Sequence, residues 1–408
     1  MDIQAYFRNI LADEQIDAEF LHLTSNEPLV SKTARTFVNS PLADRYFLGG
    51  GDADGIIYSG SFTTLGLPGV AKLVAAAEAA AQDMLNAAIV NLNCLSGVHA
   101  MMCALLSTTE PGDTVMTVHH DHGGHFATQG IVERIGRRHV STEYDFESSS
   151  FQAEALAKIF HDVKAKALYL DVSYYLNPHN IRELRAALGE AAVIIYDASH
   201  TMGLIMGGQF QSPLAEGVDL ICANTHKTLP GPQKGMIAFR DGELGRRANG
   251  IINACLYSSP HTAGVIALAV TILEMQEFGH DYARQIVANS NALGAELEQL
   301  GHKVFRGNTG RYSENHQVHL SVASNSKTLY PQFFRNRINV NFDNPGILQR
   351  GEFIRLGTQE ITRRGMKEPE MKQIAAFLGA SLRGEACAEE VTAFAARFRL
   401  VYYSFDQE

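Results

Sequence analysis

The chain contains no tryptophan and only five cysteines, and it has fewer cationic than anionic side chains, with 34 Lys and Arg against 44 Asp and Glu. A net charge of −10 argues against a nucleic-acid or anionic-membrane partner. The cysteines form no CxxC pair and lie in apolar stretches. We therefore predict reduced core thiols in a cytoplasmic protein, with neither a disulfide framework nor a zinc site.

Long hydrophobic runs are also absent. The longest, such as AGVIALAV, are too short to span a bilayer, and the acidic, mixed N-terminal stretch is not typical of a signal peptide. No internal repeat or low-complexity linker is visible. The remaining composition, 46% hydrophobic with 35 glycines in 408 residues, is that of a globular enzyme with room for two domains.

Strand-like runs alternate with helical runs over roughly the first 240 residues, namely AAIVNLN, DTVMTV, AKALYLDV, AVIIYD and VDLICAN. Short apolar strands separated by helices predict a mostly parallel sheet covered on both faces. The C-terminal part contains helical patterns and two strand-like runs, HQVHLSV and FIRLGT. We predict an N-terminal arm (residues 1–35), a large α/β domain (36–282) and a small C-terminal α+β domain (283–408).

In open α/β sheets, ligands bind beyond the carboxyl ends of the strands. The motif CLSGVHAM follows one strand and opens a helix. Ser96, Gly97 and the backbone of Val98 could bind an anion there, aided by the helix dipole. An ordinary helix N-cap accounts for this motif equally well.

Asp197 and Lys227 follow two later strands. In IIYDASH, Asp197 comes directly after an apolar strand, with His200 three residues on. Its carboxylate needs a partner, such as a ring cation, a metal or a helix N-terminus. In NTHKTLPG, apolar surroundings would disfavour the ammonium form of Lys227 and make it an amine nucleophile for a carbonyl. The simpler alternatives are an N-cap Asp and an exposed loop Lys.

The segment HHDHGGHFATQG contains four histidines, His119, His120, His122 and His125. Their spacing is not that of HExxH and no carboxylate completes a ligand set, so we predict no metal. A histidine after Gly-Gly can instead lie flat against a planar ligand. An anion cradle, an Asp, a stacking His and a late Lys on successive strand ends together describe a pyridoxal phosphate site.

Three longer blocks, DASHTMGLIMGGQF, NTHKTLPGPQKG and GEFIRLGTQEITRRGMKE, resemble signature blocks of serine hydroxymethyltransferase. LTSNE, DRYFLGG, LSGVHA, DHGGH and NHQVHLSV match further blocks in the same order, so the resemblance covers nearly the whole chain. It implies a fold-type I pyridoxal phosphate enzyme, with a large domain like that of aspartate aminotransferase and a small α+β domain.

The resemblance also implies residue roles and a homodimer with shared active sites, a tetramer being the alternative. The implied cofactor contacts are Lys227 (Schiff base), Asp197 (pyridinium), His125 (stacking), His200 and Ser173 (phenolic oxygen), Ser96, Gly97 and Val98 (phosphate), and Ser258 and Ser259 (phosphate, from a second subunit). The implied catalytic residues are Lys227, Glu27, His226 and His125, and the implied substrate contacts are Arg355 (carboxylate), Glu27, and Tyr46 from the partner subunit.

The chain departs from the family pattern at several places, including DRYFLGG and the added length of GDADGIIYSGSFTTLGLPG after it. Phe37 aligns nearest to a family tyrosine, Gln233 stands where the family usually has arginine, and the loop between INVNFDNPG and EFIRLG is short where the family contacts folate. These departures make the use of tetrahydrofolate doubtful.

The motifs GLIMGGQFQSPL, NTHKTLPGPQKG, RLGTQEITRRGMKE and YSFD are closest to those of the L-threonine transaldolases of specialised metabolism, including antibiotic biosynthesis. This likeness implies a folate-independent transfer of a glycyl unit from threonine to a second aldehyde, with small-molecule amino acid and aldehyde substrates. The alternatives are a folate-dependent serine or α-methylserine hydroxymethyltransferase, a transamination, decarboxylation or β-elimination on the same scaffold, and a non-catalytic scaffold.

Overall fold

The structure is a computed structural model that describes residues 2–59, 62–323, 326–342 and 351–407. The short loop before EFIRLG therefore lies outside the described residues. The strands are β1 (Leu21–His22), β2 (Ile56–Ser59), β3 (Phe62–Leu65), β4 (Ile89–Asn91), β5 (Thr114–Val118), β6 (Arg138–Thr142), β7 (Ala165–Leu170), β8 (Val193–Asp197), β9 (Leu220–His226), β10 (Pro230–Phe239), β11 (Gln317–Ser321), β12 (Ile338–Asn339), β13 (Asn341–Phe342) and β14 (Phe353–Gly357).

The α-helices vary from single turns to one helix of 38 residues. They are α1 (Ile3–Asp17), α2 (Lys32–Arg35), α3 (Pro68–Leu85), α4 (Gly97–Thr108), α5 (Thr128–Arg134), α6 (Ala153–Asp162), α7 (Ile181–Leu188), α8 (Met202–Met206), α9 (Pro213–Glu216), α10 (Gly242–Ile251), α11 (Thr262–Gln299), α12 (Ser326–Arg335), α13 (Gln359–Arg363), α14 (Glu368–Arg383) and α15 (Ala388–Ala395).

A seven-stranded sheet of order β4-β10-β9-β8-β7-β5-β6 forms the centre of the fold. The pairs β5/β6, β5/β7, β7/β8 and β8/β9 are parallel, as the alternation of strands and helices predicts. Neighbouring residues such as Leu168 and Tyr169 belong to different apolar clusters, because successive side chains of a strand point to opposite faces. Both faces of the sheet are therefore covered, and its carboxyl edge is where polar groups gather.

β10 is the antiparallel member of this sheet and pairs with both β4 and β9. It was not among the predicted strands. Pro230 and Pro232 stand near its start, where proline removes backbone donors, and the pairing register shifts between Pro230 and Gly235. The resulting β9–β10 hairpin fixes the segment around Lys227.

α11 is one continuous helix of 38 residues. Its earlier residues, such as Ile272 and Ile286, pack in the core of the large sheet, and Leu293 and Leu297 pack in the C-terminal core. Among the described residues it is long and apolar enough to cross a membrane, but 61% of that window is buried inside the protein. Since a core helix passes the same test, α11 gives no indication of a membrane span.

The C-terminal part is built on a three-stranded antiparallel sheet of order β11-β14-β13. The N-terminal β1 pairs in parallel with β12, and Leu21 and Leu23 are buried in the same C-terminal core. Arg363 of the TRRG motif forms a buried ion pair with Glu274 of α11, with an Nη2–Oε2 distance of 2.7 Å. The division at residues 35 and 282 stays a prediction; residue 282 lies within α11.

Candidate active site

A cavity of about 440 Å³ lies beyond the carboxyl ends of β7, β8 and β9 and beside the N-terminus of α4. Strands that are parallel neighbours end at one edge, so residues distant in sequence meet there. Ten of the predicted site residues line this cavity: Ser96, Gly97, Val98, His125, Ser173, Asp197, His200, His226, Lys227 and Arg355.

The N-terminus of α4 forms one wall of the cavity. Ser96 is its N-cap, and the Ser96 Oγ accepts a hydrogen bond of 3.1 Å from the His99 N–H. A Cβ on Gly97 would lie 2.7 Å from the Cβ of Asn224, so a larger residue would separate the helix from β9. The first N–H groups of a helix have no intrahelical acceptor. The N-cap and anion-site interpretations of the motif are therefore compatible.

Asp197 ends β8, and both of its carboxylate oxygens accept hydrogen bonds. The Tyr169 hydroxyl donates to Oδ2 at 2.6 Å, and the Ser199 N–H donates to Oδ1 at 2.9 Å. Burial, followed by the charge of Asp197, raises the pKa of Tyr169 well above its ordinary value, so this phenol remains a donor. These two donors stabilise an anionic carboxylate at the wall of the cavity.

The Lys227 Nζ lies 3.2 Å from the Nε2 of His200. Burial lowers the pKa of Lys227 to about 8; Asp197 opposes this shift, and Arg355 adds to it. A larger fraction of this amine is therefore neutral near pH 7 than for an ordinary surface lysine. Only the neutral amine has the lone pair needed to attack a carbonyl.

Two of the histidines at the cavity are held neutral. Burial, with a further contribution from Lys227, lowers the pKa of His200 well below its ordinary value and that of His226 to about 4. The ring of His200 stacks on that of His316, with centroids 5.6 Å apart. The Nδ1 of His226 is buried and has no hydrogen-bond partner within the part of the chain that the structure describes. His226 thus offers a polar ring atom that the described protein does not satisfy.

His125 stands on another wall of the cavity, after Gly123 and Gly124. Burial lowers its pKa, partly offset by the nearby Asp197 carboxylate. Its backbone N–H donates to the Oδ2 of Asp171 at 3.1 Å. The imidazole is therefore largely uncharged near neutral pH and its backbone is fixed from a neighbouring strand.

Arg355 reaches the cavity from the C-terminal part of the chain. It lies at the centre of β14 and is 5% exposed. Its Nη1 donates to the Ser173 carbonyl at 3.1 Å, its Nη2 donates to the Asn26 Oδ1 at 3.4 Å, and its guanidinium lies 4.4 Å from the ring centroid of Tyr174. These contacts orient a planar cation toward the same space as Lys227.

Four predicted residues lie elsewhere in this chain. The carboxylate of Glu27 lines a neighbouring pocket, where its Oε2 accepts from the Thr24 hydroxyl at 2.8 Å; Asn26 faces the Lys227 cavity instead. Tyr46 is 66% exposed, Ser258 is exposed and Ser259 is partly buried, and none of them lines the cavity. Their predicted contributions from a second subunit stay predictions.

Among the described residues, Cys94, His99 and Cys103 have ligand atoms within 4.8 Å of one another, a spacing at which a metal could be held. However, the His99 Nδ1 accepts from the Leu95 N–H at 2.9 Å, so its proton is on Nε2. The Nε2 lies 3.0 Å from the Leu256 carbonyl, to which it donates. Both ring nitrogens are thus used within the protein, and the prediction of no metal stays a prediction.

Two further groups at this site were not among the predicted residues. Asp171 lines the cavity, and the Tyr169 hydroxyl donates a hydrogen bond to Asp197. Asp171 had a detectable signal, because in YLDVS it follows an apolar strand directly, as Asp197 does in IIYDAS. Tyr169 had none, since an aromatic residue within a strand is ordinary core composition.

Comparison with known proteins identifies the family. The family model of serine hydroxymethyltransferase matches residues 4–378. The chain belongs to the serine hydroxymethyltransferase family. The resemblance found in the sequence is confirmed, and so is the fold-type I architecture with its mostly parallel sheet.

Relatives within the family include two kinds of enzyme. Fluorothreonine transaldolase of Streptantibioticus cattleyicolor is 33% identical over 97% of this chain, which spans 63% of that protein's length. Serine hydroxymethyltransferase of Methanocella arvoryzae is 30% identical over 99% of this chain and 97% of its own. The crystal structure of L-threonine transaldolase from Pseudomonas fluorescens, in its internal aldimine state, superposes with a TM-score of 0.89 and 28% identity, covering 99% of this chain and 94% of that one.

The protein is therefore a pyridoxal phosphate-dependent enzyme of the serine hydroxymethyltransferase family. The residues present fit this cofactor. A helix N-terminus, a paired carboxylate and an amine of lowered pKa line one cavity. In addition, Asn224 and His226 line the cavity, and each has one buried polar atom, Oδ1 and Nδ1 respectively, without a hydrogen-bond partner among the described residues.

Proposed function

We propose that this enzyme is a threonine transaldolase-like enzyme that acts without tetrahydrofolate. It breaks the Cα–Cβ bond of L-threonine, releases acetaldehyde, and joins the remaining glycyl unit to the carbonyl carbon of a second aldehyde. The products are a new β-hydroxy-α-amino acid and acetaldehyde. The similarity to fluorothreonine transaldolase and to L-threonine transaldolase supports this choice of reaction.

One observation carries the proposal: Lys227, Asp197 and Arg355 line a single cavity although they belong to three separate segments of the chain. Cleavage at Cα requires the amino acid to be held by both its amino group and its carboxylate. Lys227 is the amine through which the cofactor is bound, and Arg355 accepts the substrate carboxylate in a planar, two-point ion pair. A non-catalytic scaffold would have no need of this combination.

Pyridoxal phosphate, when bound, supplies an electron sink for the electron pair left on Cα. Asp197 keeps a proton on the pyridine nitrogen, since an anionic carboxylate there favours the cationic ring. Ser96, Gly97 and Val98 receive the phosphate at the N-terminus of α4. His125 would contact the cofactor ring, and His200 and Ser173 would contact its phenolic oxygen, since all three line the cavity.

The hydroxyl proton of threonine must be removed as the bond to acetaldehyde breaks. Of the two candidate bases from the sequence, His226 lines the cavity, and its pKa of about 4 leaves it neutral and able to accept a hydrogen bond. Glu27 lies in the neighbouring pocket with Thr24 and Asn339. We propose that the neutral His226 accepts the hydroxyl proton, with Glu27, which the family resemblance makes catalytic, as the alternative acceptor.

We also propose a homodimer with active sites shared between subunits. α1 has no buried residue in the single chain, and its apolar side chains Ile3, Tyr6, Phe7 and Ile10 are exposed. Tyr46 and Ser258 are exposed as well, although the family resemblance assigns them to an active site. Burial of α1 and insertion of these residues by a second copy would account for both observations.

A folate-dependent serine hydroxymethyltransferase is the second candidate. The Methanocella arvoryzae relative supports it, because 97% of that enzyme's length is matched. Both candidates use the same cofactor and break the same bond. They differ in whether the aldehyde leaves freely or is carried by tetrahydrofolate.

The deciding experiment supplies the purified holoenzyme with L-threonine, L-serine, glycine or L-alanine, each with and without tetrahydrofolate. We expect acetaldehyde from L-threonine without folate, together with a new β-hydroxy-α-amino acid when a second aldehyde is added. The Lys227→Ala variant is the control for uncatalysed cleavage. Turnover of serine alone, and only with folate, would establish the second candidate; keto acid, carbon dioxide or ammonia would indicate a different reaction.

Uptake of the cofactor by the apoenzyme is expected to depend on pH. The rate of Schiff-base formation should rise with pH and level off above about 8, because only the neutral Lys227 amine attacks the aldehyde. The visible absorbance of the bound cofactor, followed over time after mixing, measures this rate. A rate that continues to rise toward the ordinary lysine pKa of about 10.4 would show that Lys227 is not desolvated as described.

A further inference from the structure

A second buried carboxyl group, Asp171, lies near Asp197 at the carboxyl edge of the sheet. It follows β7 directly, is 3% exposed and lines the cavity. An ionisable group this deeply buried must be matched by partners. The roles proposed above leave it unassigned.

The partners of Asp171 belong to the segment around His125. Its Oδ2 accepts a hydrogen bond from the His125 backbone N–H at 3.1 Å and another from the Thr128 hydroxyl at 2.5 Å. Its Oδ1 has no hydrogen-bond partner among the described residues. Asp171 thus contacts the residue at the cavity wall and also the first residue of α5.

These contacts extend a backbone connection between the two segments. The Ser173 N–H donates to the Gly123 carbonyl at 2.8 Å, and Val172 forms an antiparallel bridge with Gly124. Asp171 adds a third attachment through its side chain, at His125 itself. Residues 171–173 therefore hold residues 123–125 at three successive points.

The segment before His125 has little freedom to compensate for a lost contact. A Cβ on Gly124 would lie 2.1 Å from the Val118 carbonyl oxygen, so the backbone is packed directly against the end of β5. On the other side, α5 begins after Ala127, which offers no side-chain cap. Asp171, from a different strand, instead accepts from the side-chain hydroxyl of Thr128, the first residue of α5.

We propose that Asp171 is a positioning residue that holds the backbone of His125, so that its imidazole keeps its place on the cavity wall. The inference rests on the proposed stacking role of His125. Burial and the charge of Asp197 raise the pKa of Asp171, to about 7, while the Thr128 hydroxyl and the His125 N–H oppose the rise. The hydrogen bond from the His125 N–H fixes the His125 backbone, and both hydrogen bonds favour the ionised form of Asp171.

The alternative is that Asp171 acts as a second negative charge on Asp197 and the cofactor ring, independently of His125. A double-mutant cycle separates the two, because residues that act through one another show non-additive effects. The variants are Asp171→Ala, His125→Ala and their combination. Thr128→Val is the matched control, since it removes one of the two bonds of Asp171 and leaves the bond to His125.

The measurements are the cofactor dissociation constant and the visible circular dichroism of the bound cofactor in each holoenzyme, with the melting temperature recorded. Asp171→Ala should raise the cofactor dissociation constant about tenfold or more and reduce the dichroism. A change of this size is expected when hydrogen bonds to a charged group are lost. In the His125→Ala background, Asp171→Ala should raise the cofactor dissociation constant by less than about twofold. The cofactor dissociation constant of Thr128→Val should stay within about threefold of the wild-type value.

An equal loss on Asp171→Ala in both backgrounds would overturn the proposal, as would wild-type dichroism and affinity in Asp171→Ala. If Asp171→Ala fails to fold, Asp171→Asn keeps an acceptor oxygen without the charge. It should then preserve the dichroism; a loss as large as that of His125→Ala would overturn the proposal. None of these measurements uses an amino acid substrate. Their outcome therefore does not depend on whether the enzyme is a transaldolase, which the product assay tests separately.

Discussion

Replacing Lys227 by alanine is expected to lower the turnover of L-threonine by at least about 10³-fold, equivalent to about 4 kcal/mol in the barrier. The cavity combines this amine, with a pKa of about 8, with the Asp197 carboxylate. Without the amine the cofactor loses its covalent attachment, and the exchange of one amine for another at its aldehyde is no longer available. The measurement is acetaldehyde release, together with the visible spectrum of the cofactor-treated protein.

The same hairpin contains a matched control in Lys234. Burial also lowers the pKa of this lysine to about 8, but its Nζ donates to the Pro260 carbonyl at 2.8 Å and it does not line the cavity. Lys234→Met should keep the Schiff-base absorbance and lower turnover by less than about tenfold. The substitution removes a structural contact and leaves the cavity lining unchanged. Loss of the absorbance in Lys234→Met but not in Lys227→Ala would reverse the assignment of the two lysines.

Replacing Arg355 by lysine should raise the KM for L-threonine by about 10² to 10³-fold while leaving cofactor binding unchanged. Removing one partner of a buried charged pair costs about 2–5 kcal/mol, and lysine cannot reproduce a planar two-point contact. Arg355 is oriented by Asn26, the Ser173 carbonyl and the Tyr174 ring, so its guanidinium is already in place before substrate arrives. Initial rates over a range of threonine concentrations give the KM.

Arg364 is the control for this substitution. It forms an ion pair with Glu360 one helical turn away, at 2.8 Å, and it does not line the cavity. Arg364→Lys should leave both KM and cofactor binding within about twofold, because lysine keeps the charge opposite the buried Glu360 and neither residue lines the cavity. A KM for Arg355→Lys within threefold of wild type would mean that the substrate carboxylate is bound elsewhere.

The groups on the large sheet could be placed from sequence because of a simple geometric rule. Asp197 and Lys227 each follow an apolar strand, and the ends of parallel neighbouring strands meet. The same rule would have selected Asp171. β10 escaped detection because its prolines are typical of a turn, yet it carries the second half of the hairpin that fixes Lys227.

Other parts of the site depend on contacts between distant segments. The position of Glu27 follows from the pairing of β1 with β12, more than 300 residues later, which no local pattern predicts. Arg355 was identified by family resemblance alone, because alternation along FIRLGT does not say which face meets the cavity. Tyr46 and Ser258 are exposed and do not line the cavity of their own chain, and the sequence of one chain cannot say where a second copy lies.

Lys227 and Arg355 line one cavity although they lie far apart in the sequence. This separation has a consequence for synthesis of the protein. The ribosome adds about 5–20 residues per second, so Arg355 is joined to the chain roughly 6–26 s after Lys227. During that interval the nascent chain already contains the amine, Asp197, His125 and the α4 N-terminus, while the group proposed for the substrate carboxylate does not yet exist. The order of residues along the chain thus means that the residues proposed to hold the coenzyme are synthesised before the residue proposed to bind the amino acid.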